Sequence, residues 1–249
     1  MNKKRNIFFI IIAFIVSTFF VIILTNYYIN KKQKELLNSI YESTHKNIFE
    51  KTQNLINDKQ NTSLAIAISL SKDETLYTHL KNKDFEKLNY VKIAKLIETN
   101  SKYKNIWIQI FDSNLNSVYR SWTNIRGSLN FRPDLKKIEA LKNISTSISA
   151  GLFNIGIRAR TPIFDENNNF YGALEVVTHF DSITEDLVKN NISPVVIGDK
   201  SIRKNLTNPL LSKLFIDDYY IANGNVDMNL YNYIKENGVE KYINIDNFI

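Results

Sequence analysis

Apolar residues run almost unbroken from Ile7 to Leu24, IFFIIIAFIVSTFFVIIL, with only Ser17 and Thr18 as polar breaks and no charge. Extended through Tyr27, Tyr28 and Ile29, the stretch becomes a helix rising roughly 35 Å, enough to cross a ~30 Å hydrocarbon core. Thr25, Asn26 and the tyrosine pair mark an interfacial belt. A cleaved signal peptide would carry a shorter apolar core followed by a small-residue cleavage site, whereas here Asn-Tyr-Tyr-Ile-Asn follows. The reading is an uncleaved single-pass membrane helix over 7–29. Residues 1–6 are then a cytoplasmic tail, and the bulk of the chain is extracytoplasmic.

From about 30 to 70 the period is helical. Leu37, Tyr41, Thr44, Ile48 and Leu55 form a narrow seam at helical spacing, and no Gly or Pro occurs before Gly127. One long helix is expected there, its seam facing a second copy in a parallel homodimer. Shorter helices follow at 73–82 and 85–100. The period then drops to two. Ile106, Ile108 and Ile110 alternate with Trp107, Gln109 and Phe111, which is a strand.

Asp112 to Asn116 reads as a turn by composition, 118–122 as a second strand, and 134–142 as a helix capped by Asp134. Strands at 145–152, 155–164 and 170–178 are joined by loops at Asn154 and at 165–169. A helix at 181–190 capped by Asp181 comes next. After it are strands at 194–198 and 219–222, a helix at 226–236 stopped by Asn237-Gly238, and a last strand at 242–249. The class is α+β: an antiparallel sheet of about five strands behind a long helix.

Composition changes this picture mainly by exclusion. The net charge is +7, but residues 1–60 hold nine bases and four acids, so most of the excess flanks the apolar segment. It does not indicate a nucleic-acid partner. Cysteine is absent, which removes thiolate metal sites, disulfides and Cys nucleophiles. His45, His79 and His179 are too far apart for a local metal-binding pair. There is no phosphate-binding glycine loop, dinucleotide fingerprint or nucleophile elbow. No cofactor and no enzymatic activity are expected.

Arginine is the informative residue. In a chain that uses lysine almost everywhere, Arg120, Arg126, Arg132, Arg158 and Arg160 fall within 41 residues. A guanidinium offers a planar fork for carboxylate or phosphate that an ammonium cannot. Trp122 sits among them, so a wall and a fork are available for a small anion. Arg158 and Arg160 share one face of their strand. Glu175 is an acid within an apolar strand; it pairs with one of these arginines across the hairpin or faces a ligand ammonium. The candidate site is Trp122, Arg126, Arg132, Asp134, Arg158 and Glu175, on the exposed face of the sheet and roofed by the 123–133 loop. Arg160 reads as a structural arginine near its strand end.

The stretches NIWIQIFDSNLNSVYRSWTNIRGSLNFRPDLKKIEAL (105–141) and ISAGLFNIGIRARTPIFDENNNFYGALEVVTHFDSI (148–183) resemble the Cache family of extracytoplasmic bacterial sensors, in particular the double Cache domains of chemoreceptors, sensor kinases and diguanylate cyclases. The resemblance covers about residues 32–249. It implies a PAS-like fold, with 30–183 a long helix plus membrane-distal, ligand-binding lobe and 184–249 a partial membrane-proximal second lobe. In amino-acid-binding members an Arg-x-Trp-Tyr run grips the ligand carboxylate and a final-strand Asp takes the ammonium. Arg132 matches that Arg, but Asp134 and Leu135 replace the aromatics, and Val177 stands at the Asp position with Glu175 two residues away. A carboxylate or other small anion is therefore expected rather than an ordinary α-amino acid. The alternative is an empty Cache module that docks a partner signalling protein. With no output domain in the sequence, the signal is expected to pass to a separate output protein, or the chain is a fragment of a longer receptor.

Overall fold

The structure, a computed structural model, describes residues 2–129 and 132–243. The chain divides into two units, Met1–Gln53 and Asn54–Ile249. Helix α1 runs without a break over Asn2–Ser71, as the absence of Gly and Pro allows. Within the first unit Leu37 and Tyr41 are exposed. Leu55, the last position of the predicted seam, lies in the second unit and packs on the core around Ile155, Phe180 and Tyr220. It is partly buried against its own chain. One helix among the described residues is long and apolar enough to cross a membrane.

In the second unit α2 (Glu74–Asn82) is capped by Asp73, whose carboxylate accepts from the Thr75 N–H. The helix predicted over 85–100 is broken. A single 3-10 turn at Phe85–Lys87 precedes α3 (Val91–Asn100). The Tyr90 N–H between them donates to the Tyr119 hydroxyl at 2.8 Å instead of to a helical carbonyl.

Six strands form one antiparallel sheet: β1 (Trp107–Asp112), β2 (Asn116–Arg120), β3 (Gly127–Ser128), β4 (Ser145–Ala150), β5 (Ile155–Phe164) and β6 (Phe170–Thr178). Their order is β3-β2-β1-β6-β5-β4. Alternation assigns the faces. Ile108, Ile110, Ala159, Leu174 and Val176 meet Ala67 of α1 and Leu76 and Leu80 of α2 in a back core. On the front, Phe111 and Ala173 pack beneath α4 (Pro133–Leu141) through Leu135 and Ile138. Trp107, Val177 and Phe153 make a second front cluster with Trp122. The charged chemistry lies in the rows between.

Two predicted caps are corrected. Pro133 takes the first turn of α4, where a missing N–H costs nothing, so Arg132 and not Asp134 holds the cap position. Phe180 holds that of α5 (Asp181–Val188), and Asp181 instead accepts from the Gly224 N–H at 2.8 Å.

The remaining chain forms a three-stranded sheet, β7 (Ile197–Gly198), β8 (Phe215–Ile216) and β9 (Tyr219–Ile221), in the order β7-β9-β8. Strand β8 is too short to announce itself by alternation. Helix α6 (Met228–Asn237) is capped by Asp227. Where a last strand was expected from 242, Glu240–Ile243 is a helical turn, α7, with Tyr219 donating to Glu240 at 2.7 Å. Residues 244–249 of that expected strand lie outside the described residues.

Candidate functional site

Strand register builds a polar row straight across the sheet. Arg120 of β2 sits opposite Gln109 of β1. Gln109 sits opposite Glu175 of β6, Glu175 opposite Arg160 of β5, and Arg160 opposite Ser145 of β4. Arg120, Gln109, Glu175 and Arg160 are all buried. In the next row Arg158 faces Ser147 on one side and Val177 on the other. Arg132 enters from the start of α4.

Glu175 is the hub, with 0% exposure. Its Oε1 accepts from Arg132 Nη1 at 3.1 Å and Arg158 Nη1 at 3.0 Å. Its Oε2 accepts from Arg132 Nη2 at 2.8 Å and Arg160 Nε at 2.7 Å. Four N–H donors fill the lone-pair sites of one carboxylate. Asp134 is the second anion. It accepts from Arg132 Nη2 at 2.8 Å, from Ser149 Oγ at 2.7 Å and from Arg160. Of the two sequence readings of Glu175, the pairing with arginines is the one seen. Arg160 belongs to the same network instead of standing apart near its strand end.

Arg120 differs from these three. Among the described residues it has no carboxylate partner. Its Nη1 donates to the Ile125 carbonyl, and its Nε and Nη2 donate to the Gln109 side-chain oxygen at 3.0 and 3.2 Å once that amide is oriented by its neighbours. Arg158 is only partly engaged: its Nη2 reaches the Asn154 oxygens at 3.4 Å. Gly151 makes room for it, since a Cβ there would come 2.6 Å from Arg158 Nη2. Arg126 lies outside the network. It is exposed, bonds the Thr123 and Ile125 carbonyls and sits over the Tyr119 ring.

The electrostatics follow from this pairing. Burial pushes the Glu175 carboxyl up, but Arg132, Arg160 and Arg158 outweigh it and hold the group at about 2. Asp134 is likewise held well below the usual carboxylate range: Arg132 and Arg160 overcome its burial. Arg132 is raised, because Glu175 and Asp134 more than reverse the effect of burial. Arg158 is lowered to about 10 by burial and by Arg132 beside it. Arg120 is lowered to about 10 by burial and by Arg126. A guanidinium stays protonated in proteins at neutral pH, so the cluster holds four cations. Three buried cations therefore share two carboxylates, and a fourth, Arg120, stands in the same row with none among the described residues.

A small cavity of about 10 Å3 lies against this cluster, lined in part by Arg120, Arg132, Arg158, Trp122, Gln109 and Asn154. That is room for about one water. Trp122 stacks on Trp107 with ring centroids 4.5 Å apart, and its buried Nε1–H has no acceptor among the described residues. His179 meets Trp107 edge to face, with ring centroids 4.4 Å apart. Burial, with Arg158 and Lys59 nearby, pushes it down to about 3, so it adds no charge.

Of the sequence-derived candidates, Trp122, Arg132 and Arg158 line the cavity. Asp134 and Glu175 hold the arginines in place. Arg126 is not brought to the cavity. Arg120, Gln109 and Asn154 were not among the candidates. The available signal was Gln109, a polar residue on the strand face that also carries Trp107 and Phe111. Among the described residues, no group of His, Asp and Glu is arranged to hold a metal.

No family model matches the sequence, and no curated protein matches it. Solved structures do. The sensor domain of the histidine kinase DctB from V. cholerae is similar at a TM-score of 0.50 and 15% identity, over 72% of this chain and 75% of that one. The E. coli DcuS sensor domain is similar at a TM-score of 0.43 and 19% identity, over 56% of this chain and 98% of that one. The ligand-binding domain of the Campylobacter jejuni chemoreceptor Tlp3, solved with L-valine, is similar at a TM-score of 0.39 and 20% identity, over 71% and 78% of the two chains. At these identities the likeness is one of fold. The fold of this chain is that of the Cache-type extracytoplasmic sensor domains.

Proposed function

We propose that this protein is a membrane-anchored extracytoplasmic sensor that binds a small anion and passes the signal across the membrane. One observation carries the reading: four buried guanidinia, three of them sharing two carboxylates and the fourth, Arg120, with none among the described residues, lie beside a cavity. Uncompensated buried charge is costly, so such a cluster is stabilised by an anion that completes it. Trp122 supplies the wall, Arg120 and Arg158 the incompletely used donors. The apolar helix at the N-terminus supports a single-pass anchor. A separate output protein remains the proposed recipient of the signal.

Both tryptophans of the chain, Trp107 and Trp122, stand at the site. Intrinsic fluorescence of the full chain in detergent therefore reports on it directly. Titration with succinate, sulfate or inorganic phosphate is expected to give a saturable change, absent with chloride at matched ionic strength. Arg120→Lys keeps the charge but loses the fork and is expected to weaken binding about tenfold or more. The small cavity volume favours a second reading, a Cache module without a ligand that docks a partner. Lack of response to every anion supports that reading instead.

Dimerisation through α1 is part of the proposal. Single cysteines replacing Tyr41 or Ile48 are expected to crosslink between like positions in native membranes. Their failure to do so points to a monomeric anchor.

A further inference from the structure

The geometry points to a ligand class narrower than small anions. We infer that the site selects a dianionic oxyanion, a ligand that accepts hydrogen bonds and donates none, and rejects zwitterionic amino acids. This rests on the anion-sensor reading above and specifies it.

The first ground is charge. Arg132, Arg158 and Arg160 share Glu175 and Asp134, and Arg120, buried in the same row and joined to it through Gln109, has no carboxylate partner among the described residues, so four cations stand against two carboxylates and two positive charges are left unbalanced. One monoanion neutralises half of this, and a dianion all of it. A zwitterion brings an ammonium into an already positive cluster and neutralises none.

The second ground is the hydrogen-bond inventory. An ammonium needs acceptors. Glu175 carries four N–H bonds and does not line the cavity. The side-chain oxygens that do line it are turned to guanidinia: Gln109 to Arg120 and Asn154 to Arg158. The Leu152 and Phe153 carbonyls accept from the Asn208 and Leu210 N–H groups at 2.9 and 3.1 Å. Among the side-chain groups that line it, what remains free is donors. The Trp122 indole N–H is buried and unpartnered, and Arg158 Nη2 makes only contacts at 3.4 Å. Glu175 thus acts as an internal counter-ion that excludes the ligand's ammonium. An oxyanion larger than water must displace part of the cavity wall, and the stacked Trp122 is the element that reports it.

The test is a competition of probe classes on the full chain in detergent, read by tryptophan fluorescence and by thermal shift. Succinate, sulfate and inorganic phosphate represent dianions, acetate the monoanion, and glycine and L-valine the zwitterions. Dianions are expected to bind at least tenfold more tightly than acetate, and the amino acids are expected to give no saturable response. Arg120→Gln should bring the dianions close to the acetate level, since one of the two excess charges is gone. Trp122→Phe should weaken dianion binding severalfold by thermal shift while the apo melting temperature holds, so the inference stays testable if the arginine variant fails to fold. Saturable binding of L-valine or glycine, or equal affinity for acetate and succinate, overturns the inference and leaves the sensor reading standing. Silence from all six probes overturns both.

Discussion

Glu175→Gln is expected to destabilise the protein by about 3–5 kcal/mol, the cost of removing one partner from a buried ionic cluster. The substitution keeps the shape of the side chain and removes its charge. Arg132, Arg158 and Arg160 are then left with Asp134 as their sole carboxylate within the network, and donors that met Oε1 and Oε2 meet an amide that brings protons of its own. For a domain of this size the midpoint of thermal unfolding should fall by about 10 °C or more.

The same residue sets an acid limit. Its carboxyl is held at about 2, against an ordinary 4.5. The unfolded chain therefore takes up the proton at higher pH than the folded one. The stabilisation is fully present above about 4.5 and is lost as pH falls toward about 2. The difference amounts to about 3 kcal/mol. Asp134, also held low, adds to the trend in the same direction. Denaturant unfolding followed from pH 7 to pH 2 should show this slope in the parent and a shallower one in Glu175→Gln. An unchanged midpoint at pH 7 would mean that the network is not integral to the fold. Arg160→Lys should share part of the loss, because Arg160 Nε and Nη2 divide between Glu175 and Asp134.

Lys59→Met is expected to act in the opposite sense, stabilising the protein by about 2 kcal/mol at pH 7. Lys59 lies on α1 with 2% exposure. Its ammonium donates to the Ser182 hydroxyl and sits 4.7 Å from the centre of the Tyr103 ring. Among the described residues it has no carboxylate within ion-pair distance. Burial lowers the group to about 8, with Asp181 opposing the shift only in part. Below pH 8 the folded chain carries a buried, unpaired cation. Between about 8 and 10.5 the unfolded chain remains protonated while the folded chain does not, so stability rises with pH across that window. Methionine keeps the length and the apolar stem without the charge. The gain of the variant should be largest below pH 8 and shrink toward pH 10.5. Chemical denaturation at pH 7 and pH 10 is the measurement, and a variant less stable at both would show that the Ser182 bond and the Tyr103 contact outweigh the burial cost.

What the sequence determined by itself is whatever depends on local period. The uncharged run from Ile7 sets the apolar helix, and the lack of Gly and Pro lets α1 continue to Ser71. Alternation at Trp107–Phe111, Ile155–Phe164 and Phe170–Thr178 sets three of the long strands and the face each residue takes. The concentration of arginine in a lysine-rich chain marks the right region. The tertiary structure decided which charges meet. The sheet order joins β1 to β6, a pairing between segments far apart in sequence, and that register places Gln109 beside Glu175 and Glu175 beside Arg160. No local pattern encodes it. Asp134 reads as a helix cap because it stands at the start of a helical pattern. It becomes a counter-ion because Pro133 shifts the helix start by one residue and Arg160 lies within reach. Arg126 and Arg132 look equivalent along the 123–133 loop. One sits exposed over Tyr119, while the other is drawn under α4 by two carboxylates. Lys59 carries no signal among so many lysines, because its burial arises only when α1 packs beside Ser182. Periodicity fixes the face a side chain occupies; its charge partners depend on register between distant strands, and only the folded sheet supplies that.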